Sequence, residues 1–198
     1  MSRCVLYIFP LGLMLLWHPV MLGAETAGKT SPIPQSNEEI TGFNMDSKTG
    51  KIHIFLANGK IVIPPDEKDQ VDVSDPALSA GGLNLGWVVD VDGGICCGSI
   101  PTMLVVYQHD GKIRTFQSKD QMIWGWAFRK GGHQVAIASG AVHGSDVAHY
   151  ELYDIRTGRK IGEADDAIDD SKGMSYVHRK ADSPLPKWAQ GLTDATGQ

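Results

Sequence analysis

Two stretches of the chain can be laid side by side. Val71 to Phe116 reads VDVSDPALSAGGLNLGWVVDVDGGICCGSIPTMLVVYQHDGKIRTF, and Met122 to Glu163 reads MIWGWAFRKGGHQVAIASGAVHGSDVAHYELYDIRTGRKIGE. Gly82 falls on Gly132, Gly86-Trp87-Val88 on Ala136-Ile137-Ala138, Tyr107 on Tyr153 and Gly111 on Gly158, at an offset that stays between 46 and 50 residues. Each unit holds about four short apolar runs parted by glycine turns, which is the sequence sign of a propeller blade. A plain antiparallel meander, with turns every eight to twelve residues or so, also generates some self-similarity, so a two-sheet sandwich stays an alternative.

Ahead of these units, KIHIFLANGKIVIP (Lys51 to Pro64) places apolar residues on both sides of Asn58-Gly59, the strongest short-range hairpin signal. Asp110-Gly111 and Thr157-Gly158 repeat that syntax. The fold class expected is therefore all-β: antiparallel, propeller-like blades, two clear units plus a partial one. Closed propellers take about four to eight blades, so the stack is read as open or incomplete. An open stack leaves sheet edges to be covered, and closure through a homo-oligomer is the alternative to covering by the leader and tail.

The pattern ALSAGGLNLGWVVDVD followed by LVVYQHDGKIRTF resembles the blade repeat of TolB-type, WD40-like periplasmic propellers over residues 71 to 163. In that family a Ser-Pro-Asp-Gly-Lys turn joins the first two strands. Here the turn reads Ser79-Ala80-Gly81-Gly82 and then Arg129-Lys130-Gly131-Gly132, lacking the aspartate both times. The chain also resembles small exported bacterial proteins with a similar Cys-Cys loop and HYELYD segment, a likeness that implies no activity. The family resemblance implies a location in the bacterial envelope.

The N-terminus supports export. One arginine, an apolar run from Val5 to Trp17 and the small residues before Glu25 have the layout of a secretory signal peptide, with cleavage expected after Ala24. Pro10, His18 and Pro19 interrupt the run, which speaks against a membrane anchor needing about 20 apolar residues. No stable membrane span is expected after cleavage, and the location expected is periplasmic or secreted. Removing residues 1–24 leaves 17 Lys and Arg against 23 Asp and Glu, a net charge of −6. Nucleic acid and anionic membrane are poor partners for such a chain. Residues 25–40 read as a flexible leader, 41–163 as the β domain, and 164–198 as a tail with a short helix in PLPKWAQGL. Trp188 and Leu192 would share one face of that turn and dock on a sheet.

After cleavage Cys96 and Cys97 are the remaining cysteines. They are adjacent in the glycine-rich stretch GGICCGSIP, in a compartment where disulfides persist. The repeat puts His143, Asp146 and His149 in the corresponding loop of the second unit. Cys96, Cys97, His143 and His149 together suit zinc in ligand type, or copper(I) as a soft-ligand variant. Adjacent cysteines diverge, however, where structural zinc sites separate paired ones by about two to four residues. A vicinal disulfide is a second reading: neighbouring Cα atoms lie about 3.8 Å apart, closer than disulfides prefer. The third is packing or a local clamp in a tight loop, since free cysteine behaves as a small buried apolar group. No motif calls for a cofactor.

No nucleophile elbow, zinc-protease helix or phosphate loop occurs. The acidic run Asp165, Asp166, Asp169 and Asp170 lacks the alternation and distal glutamate of a calcium loop. Trp87, Trp124 and Trp126 are binding-surface candidates, although Trp124, Trp126 and Phe128 at period two read equally as one packed strand face. The first expectation is thus an exported, non-enzymatic domain that binds a small ligand or scaffolds another envelope protein through loops at one sheet end. A metal-binding or thiol redox protein built on Cys96, Cys97, His143 and His149 is the rival.

Overall fold

The computed structural model describes residues 39–95, 98–118, 122–142, 148–166 and 184–193. Among them are eleven strands: β1 (Ile40–Asp46), β2 (Lys51–Leu56), β3 (Ile61–Val62), β4 (Gln70–Leu78), β5 (Asn84–Asp92), β6 (Ser99–Gln108), β7 (Ile113–Gln117), β8 (Met122–Arg129), β9 (Gln134–Gly140), β10 (His149–Asp154) and β11 (Lys160–Asp165). They form three antiparallel sheets, β1-β2-β3, β4-β5-β6-β7 and β8-β9-β10-β11, in each of which chain neighbours are sheet neighbours. The protein is all-β, and none of the three sheets closes on itself. Among the described residues no helix is long and apolar enough to cross a membrane.

The hairpins form where the side chains demand them. Gly59, Gly111 and Gly158 all have positive φ, at 80°, 83° and 72°. Beside each, a short polar side chain caps the turn: Asn58 Oδ1 accepts from Lys60 N at 2.8 Å, Asp110 Oδ1 from Lys112 N at 3.2 Å, and Asp154 Oδ1 from Thr157 N at 2.8 Å. This is the local self-bonding that makes Asn and Asp turn residues. Strand β1, which pairs with β2 from Ile40 to Asp46, departs from the sequence expectation; Ile40 is out of step with Phe43 and Met45, and the register shifts between Ile40 and Gly42.

Burial of both faces explains the unbroken apolar runs of the central strands. Along β5, Leu85, Trp87 and Val89 join Ile40, Ile52, Ile54 and Leu56 of the first sheet in one cluster, while Val88 enters another with Leu104, Val106 and Phe116. That second cluster is completed by Ile123, Val135 and Ile137 of the third sheet. On β9, the alternate residues Ala136 and Ala138 enter a third cluster with Tyr150, Leu152, Leu185, Ala189 and Leu192. Successive strand side chains point to opposite faces, so β5 and β9 each contribute to two cores. Fully burying one such aliphatic side chain stabilises by about 1.5–3 kcal/mol.

Two corrections follow from packing. Trp124 does not share a face with Trp126 and Phe128. The β8–β9 register shifts between Ile123 and Gly125, and this bulge sends Trp124 to the third cluster while Trp126 and Phe128 pack on the second. Trp126 and Phe128 stack edge to face there, centroids 5.1 Å apart. The tail segment PLPKWAQGL is a run of turns rather than a helix. It does dock on a sheet face, with Trp188 and Leu192 both on the third cluster. Arg129 fixes it by donating from Nε to Trp188 O at 2.8 Å and from Nη2 to Gln190 O at 3.0 Å.

Candidate functional site

The turns after β4, β6, β8 and β10 lie at one end of the two four-stranded sheets. The first and third are 3-10 turns, Ala80–Gly82 and Lys130–Gly132, which meet each other. Gly132 is buried with φ 96°, and a Cβ there would lie 2.7 Å from Ser79 Cβ, so only glycine lets the two turns approach. Asn84 seals the contact: its N donates to Ser79 Oγ at 2.9 Å, and its Nδ2 donates across to Gly132 O at 2.7 Å. Within each sheet the later turn is tied to the earlier one. His109 N donates to Leu83 O at 2.9 Å, and Ile155 N to His133 O at 3.1 Å.

Between these turns opens a cleft of about 370 Å³, within the range of small-molecule sites, about 300–1,000 Å³. Asn84, Gln108, His109, Asp110, His133, Asp154 and Arg156 supply its polar side chains. Bonding from the Lys112 ammonium holds the Asp110 carboxyl below the usual range, and bonding from the Thr157 hydroxyl and amide does the same for Asp154. Gln108 is 9% exposed, and its Nε2 has no hydrogen-bond partner.

The opposite end carries the loops singled out in the sequence. Cys96, Cys97 and His143 lie outside the described residues, as do Asp146, Asp169 and Asp170. Around the cysteine pair, Gly93 N donates to Gly98 O at 2.6 Å and Gly94 N to Asp92 Oδ1 at 2.8 Å, closing the neck of the loop. His149 is described, and it is committed to its own sheet. Only 3% exposed, it places Nδ1 2.5 Å from Asp165 Oδ1 and Nε2 3.3 Å from Glu163 Oε1. Buried Glu151 lies beside it, bonded to Lys160 Nζ at 3.0 Å, and Lys160 also reaches Glu163 Oε2 at 2.8 Å. These bonds to Glu163 and Glu151 raise the Lys160 pKa. Burial, then the charge of Glu151, pushes the Tyr153 phenol up to about 12.

Lys160 thus offsets part of the negative charge of Glu151 and Glu163, and among the described residues no group of three or more His, Cys, Asp or Glu side chains is arranged to hold a metal ion. The three tryptophan candidates do not assemble. Trp87 is 4% exposed in the first cluster, Trp126 is half-buried on the second, with Nε1 donating to Asp75 O at 3.2 Å, and Trp124 is half-buried on the third.

The sequence singles out His149 as a metal-ligand candidate but not its sheet partners or the turn-end cleft, and each left a signal. His149, Glu151 and Tyr153 alternate along one strand, so they share a face at period two. The turn segments QHDGKIR, RKGGH and DIRTGR are basic in a chain that is acidic overall. A scan against protein-family profiles matches none, and a search of curated proteins finds no significant similarity.

Proposed function

We propose that the chain is an exported, non-enzymatic binding or scaffold domain of propeller-like build, working through the turn end of its two four-stranded sheets. The observation that carries this reading is the cleft, to which turns of both sheets contribute. Loops held by a rigid sheet scaffold are where binding groups gather. The propeller-like part of the reading is supported by the shared strand order of the two sheets, by the apolar clusters with members from adjoining sheets, and by the resemblance to TolB-type repeats. The signal-like N-terminus and the acidic composition support export to a periplasmic or extracellular setting, with an envelope protein or small molecule as partner.

The double variant Cys96→Ser/Cys97→Ser tests this reading against the metal or redox alternative. A domain that binds through its turn end keeps its melting temperature and its ligand response, and native mass spectrometry without chelator finds no metal lost on substitution. A metal adduct or redox-dependent binding that vanishes in the variant overturns the proposal.

A further inference from the structure

We infer that the turn-end cleft takes a small oxyanion, a ligand carrying carboxylate or phosphate groups. The inference rests on the turn-end reading above and supplies its ligand class.

Most backbone acceptors of the cleft wall already hold a hydrogen bond. The carbonyl oxygens of Leu83, Gly132, His133 and Arg156 already accept from His109 N, Asn84 Nδ2, Ile155 N and Arg114 Nη2. Those of Asn84, Gln108 and Asp154 accept from Ser79 N, Gly111 N and Gly158 N. Asp110 bonds Lys112 through both carboxylate oxygens, and Asp154 Oδ1 takes both the amide and the hydroxyl of Thr157. Asp154 Oδ2 takes neither bond, and Arg156 and His133 lie near enough to lower that carboxyl's pKa by their charge.

What remains is rich in donors. Gln108 Nε2 is buried without a partner. The rings of His109 and His133 and the guanidinium of Arg156 line the cleft, and each carries N–H donors. A ligand that completes this wall must bring acceptors, and charged acceptors form the stronger bonds to guanidinium and imidazole. The wider field agrees. Residues 108–114, 130–133 and 154–159 hold five cationic side chains, Lys112, Arg114, Lys130, Arg156 and Arg159, against two carboxylates, in a chain whose net charge is −5. Charge of one sign gathered around a cleft raises the local concentration of the opposite ion.

Titration followed by amide and Gln side-chain resonances tests this, using citrate, inorganic phosphate, glucose as a neutral probe and spermidine as a cationic one. The expected result is a saturable shift of the Gln108 side-chain NH2 and of the amides of residues 83–84, 108–110, 132–133 and 154–156 with citrate or phosphate. Citrate alone assigns a carboxylate ligand, and phosphate alone a phosphate. Arg156→Gln, at an exposed position that leaves the fold intact, weakens that binding by about ten-fold or more, and added salt weakens it further. Shifts of these residues by glucose or spermidine, but by neither oxyanion, would overturn the ligand class while leaving the turn-end reading in place. Probes that bind only elsewhere would overturn both.

Discussion

Gly131 and Gly132 are neighbours under different constraints. Both have positive φ, but a Cβ on Gly131 meets nothing within 4 Å, whereas one on Gly132 meets Ser79 at 2.7 Å. Gly131→Ala therefore costs about 1–2 kcal/mol for the left-handed backbone alone, and Gly132→Ala costs more, because the two 3-10 turns must part. Thermal unfolding of the two variants checks the order. Asp90 makes a second case. Burial pushes its carboxyl up, the Ser74 hydroxyl at 2.9 Å pulls it down by less, and the charges of Asp72 and Asp75 add to the rise. A carboxyl whose folded pKa is raised stabilises fully below its unfolded pKa, near 3.9, and that contribution is lost as pH rises through the folded value. Asp90→Asn is thus expected to raise the melting temperature at pH about 7 and to lose that gain near pH 3; an unchanged difference at both would contradict it. At this scale the sequence was read unevenly. The glycines of the Asn58-Gly59, Asp110-Gly111 and Thr157-Gly158 turns are local demands visible in neighbouring letters. The partners of His149 are not, since Glu163 and Asp165 reach it only through the pairing of β10 with β11.

Strand β8 shows what a single extra residue does to an element. Period-two alternation placed three aromatics on one face, and the bulge at Trp124 split them between two cores. Bulges obey no letter code in one strand, because they are set by the register of its partner. The tail segment was more legible. Its spacing of Trp188 and Leu192 gave their shared face, although prolines at 184 and 186 and Gly191 keep it from becoming a helix. It covers Ala136, Ala138, Tyr150 and Leu152, which would otherwise leave the third sheet with an open apolar face. Leu192, 2% exposed, is expected to cost about 2–5 kcal/mol on replacement by alanine, measured by denaturant unfolding. A loss below about 0.5 kcal/mol, the usual size of a surface substitution, would mean that the segment does not dock there.

Across the whole molecule, the strand order could be anticipated because each hairpin turn announces its own antiparallel pairing, and sequential strands usually lie side by side. The meeting of the sheets could not, because Asn84 and Gly132 lie 48 residues apart and no local pattern marks their bond. The cleft is a product of that meeting, which is why sequence reasoning looked to the cysteine loop at the other end. The account holds that the working end is the turn end. A resonance-shift map with a library of fragments of mixed charge tests that claim without presuming a ligand. Binding fragments are predicted to gather on residues 83–84, 108–110, 132–133 and 154–156. Fragments gathering instead on the loops at 93–98 and 141–148, and lost in Cys96→Ser/Cys97→Ser, would contradict the account and move the function to the thiols.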